Sequence, residues 1–257
     1  MTDPALPLAG RAMLVTGGSS GIGRAIALAA ARAGADVAVT YQSNERGARD
    51  VANQIGTYGR RAAVLRLDLR DRDTINELGP SAHAALGRLD AWVNNAGADI
   101  LTGANAQLSD VNKLDLLLEV DLRGTILASW RAAKLLEAQA GGGVIINLSW
   151  DHVLTGMAGR NPEMFAAVKG GVLAFSKSLA RSIAPRVRVN IVAPGWIQTA
   201  FGDAVDEAAH RRVAEATPMK RWGTPDDVAG AVVYLASPAA AFVTGETIVV
   251  GGGSVMG

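Results

Sequence analysis

Strand-length apolar runs alternate with helix-length stretches from residue 11 to residue 250, and no other feature restricts the fold as much. Such alternation calls for a parallel sheet, because each crossover helix returns the chain across a sheet face and covers it. The reading is therefore α/β, a doubly wound parallel sheet of Rossmann-like type with about seven strands. The first strand runs from Arg11 to Thr16, and a Gly-rich turn leads into a helix from Gly21 to Ala33 that Gly34 stops. Strand two covers Asp36 to Tyr41, with a helix over 45–58 after it, and strand three covers Ala62 to Leu67. The next helix starts near Asp71 and contains Gly79-Pro80, where proline's missing N–H predicts a kink or break. Strand four is Leu89 to Asn94, followed by two helices over 109–119 and 122–138. Strand five, Val144 to Ser149, is entered through the turn at Gly141-Gly142-Gly143. A long helix fills 162–184, strand six is Val187 to Val192, and strand seven is Thr247 to Val250. No composition break, long linker or repeat divides residues 1–257, which read as one nucleotide-binding domain.

Composition narrows the function. Apolar residues make up 49% of the chain, enough for a sizeable core, and the formal charge is +1. That balance offers no footprint for nucleic acid or an anionic membrane. The absence of cysteine excludes disulfides, thiolate nucleophiles and cysteine-ligated metals. It is compatible with a reducing cytosol, and a cytoplasmic location is expected. Residues 1–10 lack the basic start and apolar run of a leader. No apolar run reaches the roughly 18–20 residues that span a bilayer. No metal site is read, and neither His83 nor His210 has a motif partner for nucleophilic catalysis.

The chemistry begins at Thr16-Gly17-Gly18-Ser19-Ser20-Gly21-Ile22-Gly23, between the first strand and the first helix. Glycine permits positive φ and close backbone approach, and the helix start presents unpaired N–H groups to a pyrophosphate. The spacing Gly17-x-x-x-Gly21-x-Gly23 resembles the cofactor loop of the short-chain dehydrogenase/reductase family. Further landmarks are Asn94-Asn95-Ala96-Gly97 after strand four, Asp68 after strand three, Asn190 within strand six, and Pro194-Gly195-Trp196-Ile197-Gln198-Thr199 after it. Together they span about residues 11–253 in the family's order, resembling reductases of 3-oxoacyl-(acyl carrier protein) type and glucose dehydrogenases.

The resemblance implies a cofactor site of Gly17, Ser19, Ser20, Gly21, Ile22, Gly23, Asp68, Leu69, Asn95, Ala96 and Gly97. Asp68 is the adenine partner, and Pro194, Gly195, Ile197 and Thr199 hold the nicotinamide amide. Strand two ends in Thr40-Tyr41-Gln42-Ser43-Asn44, without the carboxylate that would accept ribose hydroxyls and repel a 2′-phosphate. Tyr41, Gln42 and Ser43 join the site on that ground. Arg46 either assists there or is a solvated helix residue. NADP(H) is the expected cofactor, with NAD(H) left possible by Ser20, where NADP-preferring relatives often carry a basic residue.

The family's mechanism uses a Tyr, a Lys one helical turn later, a Ser and an Asn. Here Phe165-Ala166-Ala167-Val168-Lys169 stands in the Tyr-x-x-x-Lys place, anchored by Gly170-Gly171 and by Ser176 to Ala180. Lys169 retains the ribose-holding role, whereas Phe165 carries no proton and reads equally as a packing residue. Asp121 replaces the Asn and either accepts from a water or caps a helix. The Ser position depends on the count. Forward from strand five it falls on Trp150, beside Ser149; thirteen back from Phe165 it falls on His152. Ser149, Asp151 and His152 are thus all candidates to face the substrate, and His152 is the most attractive replacement acid because imidazole titrates near neutrality.

Three functions compete. One is an NADP(H)-dependent oxidoreductase acting on a small carbonyl, enone or related substrate through a rebuilt site. Another is a nucleotide-binding protein with little redox activity, acting as partner subunit or regulator. The third is a lyase or isomerase on the same scaffold. The segment 200–218 is the expected substrate lid. A homo-tetramer or homo-dimer is expected, pairing through the helices at 122–138 and 162–184, whose stretches Leu127-Ala128 and Gly171-Val172-Leu173-Ala174 allow close approach.

Overall fold

Seven strands form a single all-parallel sheet in the order β3-β2-β1-β4-β5-β6-β7. The computed structural model describes residues 6–200, 202 and 205–256. Residues 1–5, where no leader was read, and residues 201, 203 and 204 of the expected lid lie outside the described residues. The strands are β1 (Ala12–Val15), β2 (Asp36–Tyr41), β3 (Ala62–Arg66), β4 (Ala91–Asn94), β5 (Gly143–Leu148), β6 (Val187–Pro194) and β7 (Thr247–Val250). Helices α1 (Gly21–Arg32), α2 (Glu45–Thr57) and α3 (Arg72–Leu86) connect the first four. After β4 come α4 (Asp110–Leu117), α5 (Thr125–Ala138) and α6 (Arg160–Ile183). The last two are α7 (Glu207–Ala216) and α8 (Pro225–Ala236).

Alternation along the strands divides the core. Met13, Val15, Val37, Val39, Val93 and Ile146 join α1, α2 and α8 in one buried cluster. Leu14, Ala38, Trp92, Ile145 and Val189 join α3, α5 and α6 in the other. Successive side chains point to opposite faces, so a sheet covered on both sides reads as continuous apolar strands. The order reverses direction between β1 and β4, and that switch point opens a crevice beyond the carboxyl ends of the strands. Among the described residues no helix is long and apolar enough to cross a membrane.

Two expectations need correction, and two helices were not expected. Helix α3 is unbroken across Gly79-Pro80. Pro80 is exposed, and a Cβ on Gly79 would lie 3.0 Å from Leu135 and 3.4 Å from Trp92, so close packing holds the helix together there. The two helices expected over 109–138 are one path, because a π-helical stretch, Leu118–Gly124, joins α4 to α5. Helix α8 was missed, although Thr224 and Asp227 form a reciprocal capping box and Pro225 opens the helix. Helix α7 was missed inside the expected lid.

Candidate active site

The cradle at the switch point is built by short side chains locking backbone. The Gly17 N–H donates to Thr40 Oγ1 at 3.1 Å, and the Gly18 N–H donates to the Thr40 carbonyl. Thr16 Oγ1 accepts from the N–H groups of Asn95 and Ala96, at 3.0 Å each. Asn95 Nδ2 returns a bond of 2.9 Å to the Thr16 carbonyl. These bonds tie the loop after β1 to the loop after β4. A Cβ on Gly23 would fall 2.2 Å from the Gly17 oxygen, so only glycine lets α1 begin this close to the turn. Ser20, the N-cap of α1, makes no capping bond with its side chain, leaving the first-turn amides for an anion.

A cavity of about 850 Å³ extends from this cradle, with Thr40, Tyr41, Gln42, Ser43, Asp68, Leu69 and Arg70 at one end. Ala96, Gly97, Asp121, Phe165, Lys169 and Thr199 stand at the other, and Gly17, Ser19, Ser20, Ile22, Gly23 and Asn95 lie between. The glycine cradle and the uncapped helix start fit a dinucleotide. Gly21 opens α1 at φ +53°, where a Cβ would lie 3.9 Å from the Thr199 methyl. Pro194, Gly195 and Ile197 are not lining residues. Pro194 ends β6, Ile197 is buried and bridges to Gly223, and Gly195 packs on Asp151. Asn190 ties β6 to the approach of β7, accepting from the Glu246 N–H and donating to the Val243 carbonyl.

At the adenosine end Arg70 grips Asp68 with both arms, at 2.9 and 2.6 Å. That bidentate bond, assisted by Gln42, holds the Asp68 carboxyl down at about 2. Arg70 was not singled out from the sequence, although the pattern Asp68-Leu69-Arg70 was its signal. Arg46 is exposed and does not line the cavity. Glu45 lies just past β2 and is engaged by Tyr41 and Arg49.

At the other end Asp121 sits on the π turn and faces Lys169, with Oδ2 to Nζ 2.9 Å. The Asp121 side chain is buried and that of Lys169 partly so, and Asp121 Oδ1 also accepts from the Ala98 N–H at 2.7 Å. Asp121 is therefore an ion-pair partner and not a helix cap. A Cβ at Gly97 would come within 2.7 Å of its carboxylate, which accounts for glycine there. Phe165 lines the cavity one helical turn before Lys169. Ser149 turns its hydroxyl to the Lys169 carbonyl, 2.8 Å away, and braces α6. The Trp150 ring is tilted against Phe165 at 6.3 Å and stacked on His152 at 4.9 Å. His152 receives Asp151 at Nδ1, and Asp151 is fully buried. His210 stacks on Trp222 at 4.6 Å and bonds Gln198, which ties α7 to the loop after β6.

The chain is similar to known proteins over nearly its whole length. The sequence model of a family described as enoyl-(acyl carrier protein) reductase matches residues 17–254. The 3-oxoacyl-(acyl carrier protein) reductase FabG of Aquifex aeolicus is 37% identical over 252 residues, covering 96% of this chain and 98% of that one. L-rhamnose 1-dehydrogenase (NAD(P)(+)) of a Sphingomonas species is 34% identical, covering 96% of each. Among solved structures, 7α-hydroxysteroid dehydrogenase complexed with NADH and 7-oxo glycochenodeoxycholic acid superposes with a TM-score of 0.88 at 29% identity. That match covers 100% of this chain and 99% of its own.

Proposed function

The chain belongs to the short-chain dehydrogenase/reductase family, whose members are oxidoreductases, and we propose that it moves a hydride between NADP(H) and a small carbonyl, enone or related substrate. The observation that carries this reading is the glycine cradle continuous with Lys169 in one cavity. The nicotinamide, when bound, supplies or accepts the hydride. In this reading Lys169, paired with Asp121 at the cavity wall, would bond the ribose hydroxyls, and the cavity-lining Phe165 would wall the reaction end. Phe165 has no proton to give. A positioned general acid contributes roughly 10²–10⁴-fold, or about 3–5 kcal/mol of barrier, so ketone reduction calls for another donor. Addition to a conjugated alkene asks less of an acid, because the charge spreads into an enolate.

The preference for the phosphorylated cofactor is supported by a rim of Tyr41, Gln42 and Ser43 without a lining carboxylate after β2, and by the cation of Arg70 nearby. Fluorescence titration tests it: NADPH is expected to bind more tightly than NADH. Equal or reversed affinities overturn the preference, and no binding of either overturns the oxidoreductase reading. A second reading, a nucleotide-binding regulator without turnover, draws on Trp150 lying against Phe165. Pairing of copies through α5 and α6 is supported by Trp130, 55% exposed beside Phe175 on these helices. Light scattering at micromolar concentration is expected to give a dimer or tetramer mass.

A further inference from the structure

Asp151 and His152 share a short 3₁₀ turn, Asp151–Val153, after β5, and the roles assigned above leave both unused. Asp151 Oδ1 lies 2.6 Å from His152 Nδ1. Its other oxygen is buried with no hydrogen-bond partner. That oxygen is wedged between two strand ends: a Cβ on Gly195 or on Gly251 would approach it to 2.4 or 2.5 Å. The carboxylate cannot swing away, so the imidazole is its one polar contact by side chain among the described residues. Burial pushes the Asp151 carboxyl up, and the His152 side chain, helped by the backbone N–H groups of His152 and Asp151, draws it back.

A pair serving merely as a staple would bury both members and satisfy both ring nitrogens. Here the His152 side chain is 15% exposed, and its Nε2 bonds none of the described residues. The ring does not line the cavity itself but lies one ring removed from its Phe165 end. On one side it stacks on Trp150, whose ring meets the cavity-lining Phe165. On the other it meets Trp196 edge-on at 6.3 Å, in the loop whose Thr199 lines the same cavity. Rings continue from Trp196 to the buried Trp222 at 5.3 Å, which backs this row of rings.

We propose that Asp151 and His152 form the acid–base pair of the reaction, His152 as the catalytic residue and Asp151 as its positioning residue. This rests on the oxidoreductase reading. In the oxidative direction Nε2 takes the proton of a substrate alcohol as the O–H bond breaks and the C=O bond forms. The hydride leaves the same carbon for the oxidised nicotinamide, which is the oxidant. In reduction the imidazolium returns that proton to the carbonyl oxygen as the reduced nicotinamide delivers the hydride. Asp151 keeps the proton on Nδ1, so that Nε2 presents a lone pair to an alcohol, and its charge offsets the imidazolium. The stacked face of Trp150 stabilises that cation further.

The experiment uses the full chain with NADPH and two probes, an aryl methyl ketone and an ortho-quinone, whose reduced anion persists without an acid. His152→Gln is expected to lower kcat on the ketone by about 10²-fold or more, sparing the quinone and leaving NADPH affinity unchanged. Long-range proton–nitrogen NMR of the wild-type complex is expected to show neutral His152 protonated at Nδ1, a preference lost in Asp151→Asn. An undiminished ketone rate in His152→Gln overturns the pair, and so does an Nε2–H tautomer in the wild type, whatever the substrate. If NADPH binds and neither probe is reduced, it is the oxidoreductase reading that fails.

Discussion

Around the crevice, the side formed by β1–β4 and the side formed by β5–β7 are built from different materials. On the first, glycines and two threonine hydroxyls fix backbone against backbone, and the contacts that shape the cradle run through main-chain atoms. On the second, Trp150, Asp151, His152, Phe165 and Trp196 form a packed row of rings with a buried carboxylate behind it. Holding an invariant ligand needs a backbone shape, which small residues at fixed spacing impose. Chemistry depends on pairs of side chains from separate segments, and these can be exchanged while the shape stays. On the reading proposed above, the binding side keeps the form that the family resemblance implies and the reacting side is the one rebuilt.

The largest expected effect lies on the cradle side. Gly23→Ala puts a methyl into the Gly17 carbonyl and within 2.5 Å of Asn95 Nδ2. Measurable NADPH binding should vanish in fluorescence titration, whereas changes at His152 leave affinity intact. Normal binding by Gly23→Ala would break the distinction between the two sides. The next effect falls where they meet. Lys169→Ala strands the buried Asp121 carboxylate, and breaking a buried pair costs about 3–5 kcal/mol. Urea unfolding should show that loss, and adding Asp121→Asn should recover part of it. NADPH should bind weakly in both variants, because the ribose partner is gone from each.

This contrast also explains what could be read in advance. The parallel sheet with its run of strands and the glycine turn were legible because glycine spacing and apolar runs are local signals. Helix α8 was equally legible from Thr224-Pro225-Asp226-Asp227 and its apolar positions Val228, Val232 and Leu235, but it was passed over between strands six and seven. The reacting side was legible only as candidates. Nothing near Asp121 in the sequence announces Lys169, because α6 meets the π turn only after folding. Ser149 was one candidate among three for the substrate face, and its bond to the Lys169 carbonyl exists only once α6 has folded against β5. Two alignments competed for the Ser position, and in the structure the contested residues do different things. Trp150 packs on Phe165, Asp151 is buried, and His152 joins them.

The smallest expected effect concerns an element that touches both sides. Helix α8 packs along α1 beneath the cradle, while the residues just before its cap, Trp222 and Gly223, contact Trp196 and Ile197 on the reacting side. Thr224→Ala removes the hydroxyl that accepts from the Asp227 N–H, and loss of such a cap costs about 1 kcal/mol. If the two sides are independently braced, the loss appears in urea unfolding and leaves both NADPH affinity and the His152 tautomer unchanged. A change in either would show that α8 couples them. The same cap carries a pH signature. Arg221, and then the Thr224 N–H, hold the Asp227 carboxyl well below the ordinary carboxylate range. A carboxyl depressed on folding contributes its stability fully above the unfolded value, near 4, and loses it as pH falls toward the folded one. The difference in Tm between wild type and Asp227→Asn should therefore be present at neutral pH and narrow steadily below about pH 4. A difference that persists unchanged in acid would mean that shape, and not charge, holds the start of α8.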